Sequence, residues 1–276
     1  MKEKFITSFD GTKIHYIYKK NKKQCIIFLH GLSSGSSVWQ YIMPYFSAKG
    51  YSILSIDIRG HAKSGKPDSS KKYSIYGASK DVDLIMEKEG ISNAIFVCHC
   101  FGTYIAMLLY MTKPHLIKKL VFISPHIRPK DDIGYIVVGR AYLVLIHALR
   151  LVYRKKYYST INWDEFRPIK DLDFLKLFKL IKVASPQTML NYLKEIYSFD
   201  GVGMARRIAV PVLIIHGSRD IIVREKYSRE FSQIIRGSRF LLLKGKNHNP
   251  IVNSPDEVNV AIFEFIKEKE RPLKTA

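Results

Sequence analysis

Short, unbroken apolar runs alternate with longer amphipathic stretches along this chain, and that rhythm predicts strands separated by helices. Cys25 to Leu29, Ala94 to Val97 and Val212 to His216 are continuous apolar runs of strand length, as expected in a sheet covered on both faces. Tyr51 to Ile56, Lys119 to Ile123 and Phe240 to Leu243 are read as further strands. Helical patterning is predicted over Val38 to Ala48, Ile75 to Lys88, Tyr104 to Met111, Glu225 to Ile235 and Pro255 to Lys269. The N-terminus reads as a hairpin: Lys4 to Phe9, an Asp10-Gly11 turn, then the alternating Lys13 to Tyr18. Strands alternating with helices argue for an α/β fold with a doubly wound, mostly parallel sheet. The core is assigned to residues 1–125 and 211–276. Between Pro125 and Pro211 the alternation stops, and 126–210, helical in pattern, aromatic and basic, is read as a helical cap inserted over the carboxyl ends of the strands.

A hydrophobic content of 47% with 12% aromatics is ample for a sizeable buried core. The formal net charge of +21 would favour anionic partners, but a lysine-rich solvated surface accounts for it equally. No nucleic-acid-binding pattern accompanies the charge, so no nucleic-acid partner is expected. Three cysteines, two of them at 98 and 100, make no disulfide framework. The start Met1-Lys2-Glu3-Lys4-Phe5 has no apolar signal region, and a cytoplasmic location is the expectation. The apolar stretch Ile133 to Tyr153 is interrupted by Arg140, His147 and Arg150, which argues against a membrane span. Wound as a helix it carries those three residues on one face. It is either a cap helix packed on both sides or a surface lining an acyl pocket and touching an acidic membrane weakly, with Arg154-Lys155-Lys156 near the headgroups.

The chemistry concentrates at Cys98-His99-Cys100-Phe101-Gly102, where an apolar strand runs straight into an apolar helix. Such a strained strand-to-helix turn exposes its central side chain at the top of a parallel sheet, the geometry of a nucleophile elbow written Gly-x-Ser-x-Gly. Here Cys100 takes the nucleophile position and Cys98 replaces the first Gly. His30-Gly31 ends another apolar strand and leaves the Leu32 N–H free to point into a site. With the Phe101 N–H it would form a two-donor oxyanion hole. Pro211 to Asp220 reads as a buried strand and short loop ending in an acid placed to orient a histidine. Gly245-Lys246-Asn247-His248 puts an imidazole over the sheet edge.

These motifs, in the order nucleophile, acid, histidine, resemble an α/β-hydrolase from about Phe5 to Ile266. Asp57-Ile58-Arg59-Gly60-His61-Ala62-Lys63-Ser64 is similar to that family's Asp-x-Arg-Gly-x-Gly-x-Ser loop, with Ala62 for a usual Gly. The resemblance implies a triad of Cys100, Asp220 and His248 with Leu32 and Phe101 as backbone donors. It implies hydrolysis of carboxylic esters or thioesters of a hydrophobic acyl group through an acyl-enzyme, without metal or organic cofactor. A cysteine nucleophile is a minority solution in the family, found in dienelactone hydrolases and polyhydroxyalkanoate synthases. An Asp at the elbow would instead have implied dehalogenase or epoxide-hydrolase chemistry. Acyl transfer to another acceptor, C–C or peptide hydrolysis and a non-catalytic ligand-binding role stay open. His30 and His99 flank the elbow and are candidate substrate contacts, His30 with loop-fixing as its alternative. Asp220 has helix capping as its alternative role. Cys25 is read as core packing, and Cys98 with Cys100 lacks the further ligands a metal would need.

Overall fold

The computed structural model describes residues 1–132, 144, 146–147, 158–171 and 182–268. Eight strands form one sheet in the order β1-β2-β4-β3-β5-β6-β7-β8. They are β1 (Lys2–Thr7), β2 (Lys13–Lys19), β3 (Lys23–Leu29), β4 (Tyr51–Ile56), β5 (Ala94–His99), β6 (Ile117–Ile123), β7 (Val212–Gly217) and β8 (Arg239–Leu243). The N-terminal hairpin is antiparallel and joins β4 antiparallel through β2, while β3 to β8 pair in parallel. Alternate side chains of the central strands feed two apolar layers. Ile27, Leu29, Phe96 and Phe122 pack on one face and Ile26, Phe28, Val97 and Val121 on the other. The first layer receives helices α2 (Ile75–Lys88) and α3 (Gly102–Thr112), the second α1 (Met43–Ala48). The segment between β6 and β7 includes α4 (Pro186–Ser198) and α5 (Val202–Arg206) among its described residues. Helices α6 (Glu225–Ile234), α7 (Pro250–Asn253) and α8 (Pro255–Lys267) follow.

The single helix expected over Val38 to Ala48 is instead a 3₁₀ turn (Ser36–Trp39) followed by α1. The physical reason is Pro44 in the first turn of α1, a position proline favours because the missing N–H would be unpaired there. The expected helix Ile133 to Tyr153, with Arg140 and Arg150, and the basic run Arg154-Lys155-Lys156 lie outside the described residues, apart from 144, 146 and 147. No helix among the described residues is long and apolar enough to cross a membrane.

Two polar networks pin the loops at the carboxyl edge of the sheet. Arg59, fully buried, donates from Nε and Nη2 to both oxygens of Asp81 on α2, at 2.7 and 2.6 Å. It also reaches Asp10 in the hairpin turn at 2.9 Å and the Lys72 carbonyl at 2.8 Å. A buried guanidinium is tolerated only when paired in this way. Asp57 accepts from the Ser36 N–H at 2.6 Å and from His15 Nδ1 at 2.7 Å. It thereby fastens the loop after β3 to the loop after β4.

Four non-glycine residues among those described have left-handed backbone: Ser33 (φ 61°), Ala62 (42°), Cys100 (46°) and Ser124 (51°). They follow β3, β4, β5 and β6 in turn, so the strain is gathered along the edge where the chemistry is expected. Behind Cys100, a Cβ added to Gly102 would lie 2.4 Å from the Leu29 carbonyl oxygen. Gly102→Ala is therefore expected to force α3 off β3 and destabilise the fold by about 1–3 kcal/mol, measured by urea unfolding.

Candidate active site

Strand β5 delivers Cys100 to the top of the sheet, where its N–H donates to the Ile123 carbonyl at 2.9 Å and its φ of 46° turns the chain into α3. Cys98 and Cys25 are buried, whereas Cys100 is partly exposed. Cys98 lies in the apolar layer beneath the turn, and burial pushes its thiol well up. The side chain that replaces the motif's first glycine is thus accommodated as core. The Phe101 N–H opens α3, and Leu32 sits in the turn after β3. Among the described residues neither amide donates to the protein.

The acid and the base come from the last two strands. Asp220 follows β7; its Oδ1 accepts from the N–H groups of Ile222 and Val223 at 2.9 and 2.8 Å, and its Oδ2 accepts from His248 Nδ1 at 2.8 Å. Capping and orienting are therefore both performed, one by each oxygen. Burial alone would raise the Asp220 carboxyl, but the charge and hydrogen bond of His248 outweigh it and hold it below the usual range. For His248 burial would lower the imidazole. The Asp220 charge and hydrogen bond, together with a hydrogen bond to Cys100, instead raise it well above its ordinary value. The arrangement favours an imidazolium between a carboxylate and a sulfur.

Cys100, His248 and Asp220 are thus brought together. His30 and His99 lie beside them but are engaged with backbone. His30 is fully buried; Nδ1 donates to the Gly31 carbonyl at 2.7 Å and Nε2 accepts from the Ile58 N–H at 2.9 Å. Both ring nitrogens are used, and they tie the end of β3 to the loop after β4. His99 donates from Nε2 to the His248 carbonyl at 2.9 Å, with ring centroids 4.9 Å apart. Its bare Nδ1 faces Gly31 so closely that a Cβ there would lie 2.9 Å away.

Two residues near Asp220 and His248 carried no signal in the sequence. His216, at the end of β7, is fully buried. Ser228 Oγ donates to the Pro125 carbonyl at 2.7 Å, so it accepts from His216 Nδ1 at 2.9 Å. The neutral ring then turns Nε2 toward Asp220 Oδ2 at 3.9 Å. Asp171, from the segment between β6 and β7, accepts from the His248 N–H at 3.0 Å and the Ile221 N–H at 3.2 Å. Burial raises its carboxyl. The Asp171 contact joins residues 77 apart, which no local spacing rule reports.

Helix α4 covers the loop side of the elbow. Tyr192 packs on Phe101 at 4.7 Å between centroids, and Met189 accepts from Ser33 Oγ at 3.4 Å. Leu32 packs with Ala184, Met189, Leu190 and Leu193. The surroundings of Leu32 and Phe101 are therefore apolar.

A sheet of β3 to β8 in parallel, an elbow after β5, an acid after β7 and a histidine after β8 define an α/β-hydrolase architecture. Residues 24–255 match the family described as alpha/beta hydrolase fold, and the chain belongs to it. Human Protein ABHD8 is 20% identical over 280 residues, covering 99% of this chain but 60% of its own length, so this chain spans about six tenths of that relative. The Karrikin insensitive 2 receptor CA of Petunia hybrida is 25% identical over 88% of this chain and 92% of its own. Among solved structures, the enol-lactonase of Burkholderia xenovorans superposes with a TM-score of 0.76 at 22% identity, over 96% of this chain and 100% of that one.

The buried histidines bear on stability. Burial lowers His99 to about 3 and His126 to about 4, and lowers His30, His61 and His216 in the same sense. Each stays neutral when folded but takes up a proton below about 6.5 when unfolded, so stability falls as pH drops below that value. His248 works in the opposite sense: its raised pKa supplies stability that is fully present below 6.5 and lost on the alkaline side. His99 and His126 should each cost about 2 kcal/mol at pH 5 relative to pH 7.5. Urea midpoints across that range should fall, and His126→Phe should flatten the fall.

Proposed function

We propose that the protein hydrolyses carboxylic esters or thioesters of a hydrophobic acyl group, with Cys100 as nucleophile, His248 as base and Asp220 as its orienting acid. The observation that carries this reading is the Cys100 thiol, held out by a left-handed backbone beside an imidazole that Asp220 holds at 2.8 Å. His248 takes the thiol proton at Nε2, and the thiolate attacks the acyl carbon. The N–H groups of Leu32 and Phe101 receive the developing oxyanion. Collapse expels the alcohol or thiol, which takes the proton from His248 and leaves a thioester on Cys100. His248 then removes a proton from water, which attacks the thioester and frees the acid. Asp220 keeps the imidazole in the required tautomer throughout. The apolar surroundings of Leu32 and Phe101 support an acyl group that is itself apolar.

A second reading takes its support from the petunia relative, whose name is that of a receptor: the same pocket would bind a ligand, with turnover slow or lacking. Intact-protein mass spectrometry after brief exposure to an activated medium-chain ester separates the two. An acyl adduct on the wild type that decays with release of acid is expected. Cys100→Ala should carry none, and Asp220→Asn should slow turnover by about 10⁴-fold. Saturable binding with no adduct would leave the receptor reading in its place.

A further inference from the structure

We infer that Asp171 is a positioning residue for the base, holding the His248 backbone from a segment outside the sheet. This rests on the reading of Cys100 and His248 as nucleophile and base.

The His248 residue is gripped at three points. Asp220 takes its Nδ1–H at 2.8 Å. His99 donates to its carbonyl at 2.9 Å. Asp171 accepts its N–H through Oδ1 at 3.0 Å and more distantly through Oδ2 at 3.3 Å. The same Asp171 carboxylate accepts the N–H of Ile221 at 3.2 Å, the residue directly after Asp220. One side chain thus spans the loop of the base and the loop of the acid. Capture of two backbone amides by one carboxylate is a charge-assisted contact, stronger than its neutral counterpart.

Asp171 is itself well seated. Two residues earlier, the Ile169 N–H donates to Asn253 Oδ1 at 2.8 Å, and the Ile169 carbonyl accepts from Asn247 at 2.6 Å and Asn253 at 2.9 Å. Asn253 Nδ2 also meets Asn247 Oδ1 at 2.9 Å. The segment therefore grips the residue before His248 and helix α7 after it, and Asp171 completes the grip at His248. The carboxylate also lies close enough to the imidazole for its charge to be felt there. The titratable groups facing His248 are Asp220, Asp171, Cys100 and His99, with His216 behind Asp220.

The test reads the thiol directly and needs no substrate. Alkylation of Cys100 by iodoacetamide is followed by peptide mass spectrometry from pH 5 to 9 in the wild type, His248→Ala, Asp171→Ala and Asp171→Asn, alongside thermal melts. The buried Cys25 and Cys98 should not compete. Compared with His248→Ala, the wild type is expected to react further into the acidic range. Asp171→Ala should move the midpoint up by about one pH unit, about tenfold slower at pH 7. Asp171→Asn, which keeps one acceptor oxygen and the size of the side chain, should fall between and folds if the alanine variant does not. Asp171 variants that melt earlier but keep the wild-type midpoint, while His248→Ala shifts it, would overturn the inference and leave the triad reading standing. A midpoint unmoved by His248→Ala would remove the triad reading and the inference with it.

Discussion

Everything at the carboxyl edge depends on the close approach of the elbow to β3. The chain leaves β5, takes a left-handed turn at Cys100 and enters α3 with Gly102 lying against the Leu29 carbonyl. Only a residue without a Cβ permits that approach. Cys100 tolerates its φ because its N–H is tied to Ile123 and apolar layers hold the strands on both sides. The local cost of such backbone, on the order of 1 kcal/mol, is met by packing elsewhere.

The second constraint is electrostatic. The site is crowded with imidazoles, and the structure keeps them distinct by what each faces. His30, His99 and His216 face carbonyls, amides or a hydroxyl and are driven neutral by burial. His248 faces Asp220 and is driven the other way. A single carboxylate placed at 2.8 Å decides which of several similar rings can carry charge. The same logic governs Arg59, whose burial is tolerated because Asp81 and Asp10 meet it.

Much of this was legible in the sequence because it obeys local spacing. Apolar runs mark the strands of a sheet covered on both faces, and the elbow, the Gly217-to-Asp220 turn and the loop before His248 each follow a strand directly. Even the break before α1 has a signal in Pro44. What was not legible depends on segments meeting. Asp171 and His248 are remote along the chain, and nothing near Asp171 marks it as a partner of the base. His216 looks like one more strand residue until Ser228 and Asp220 are seen on either side of it. His30 and His99 both lie beside the elbow, as their places in the sequence suggest, but only His30 has both ring nitrogens taken up by backbone.

The order of strands also sets when the residues around Cys100 can come together during synthesis. The elbow and its supports, β3, β5 and β6, lie in the first half of the chain, while Asp220 and His248 follow β7 and β8. A nascent chain that has reached only β6 holds the turn that presents the sulfur but lacks the imidazole beside it. Asp220 and His248 reach it only once β7 has paired with β6 and β8 with β7. The cluster around Cys100 is thus among the last features of the sheet's edge to be completed.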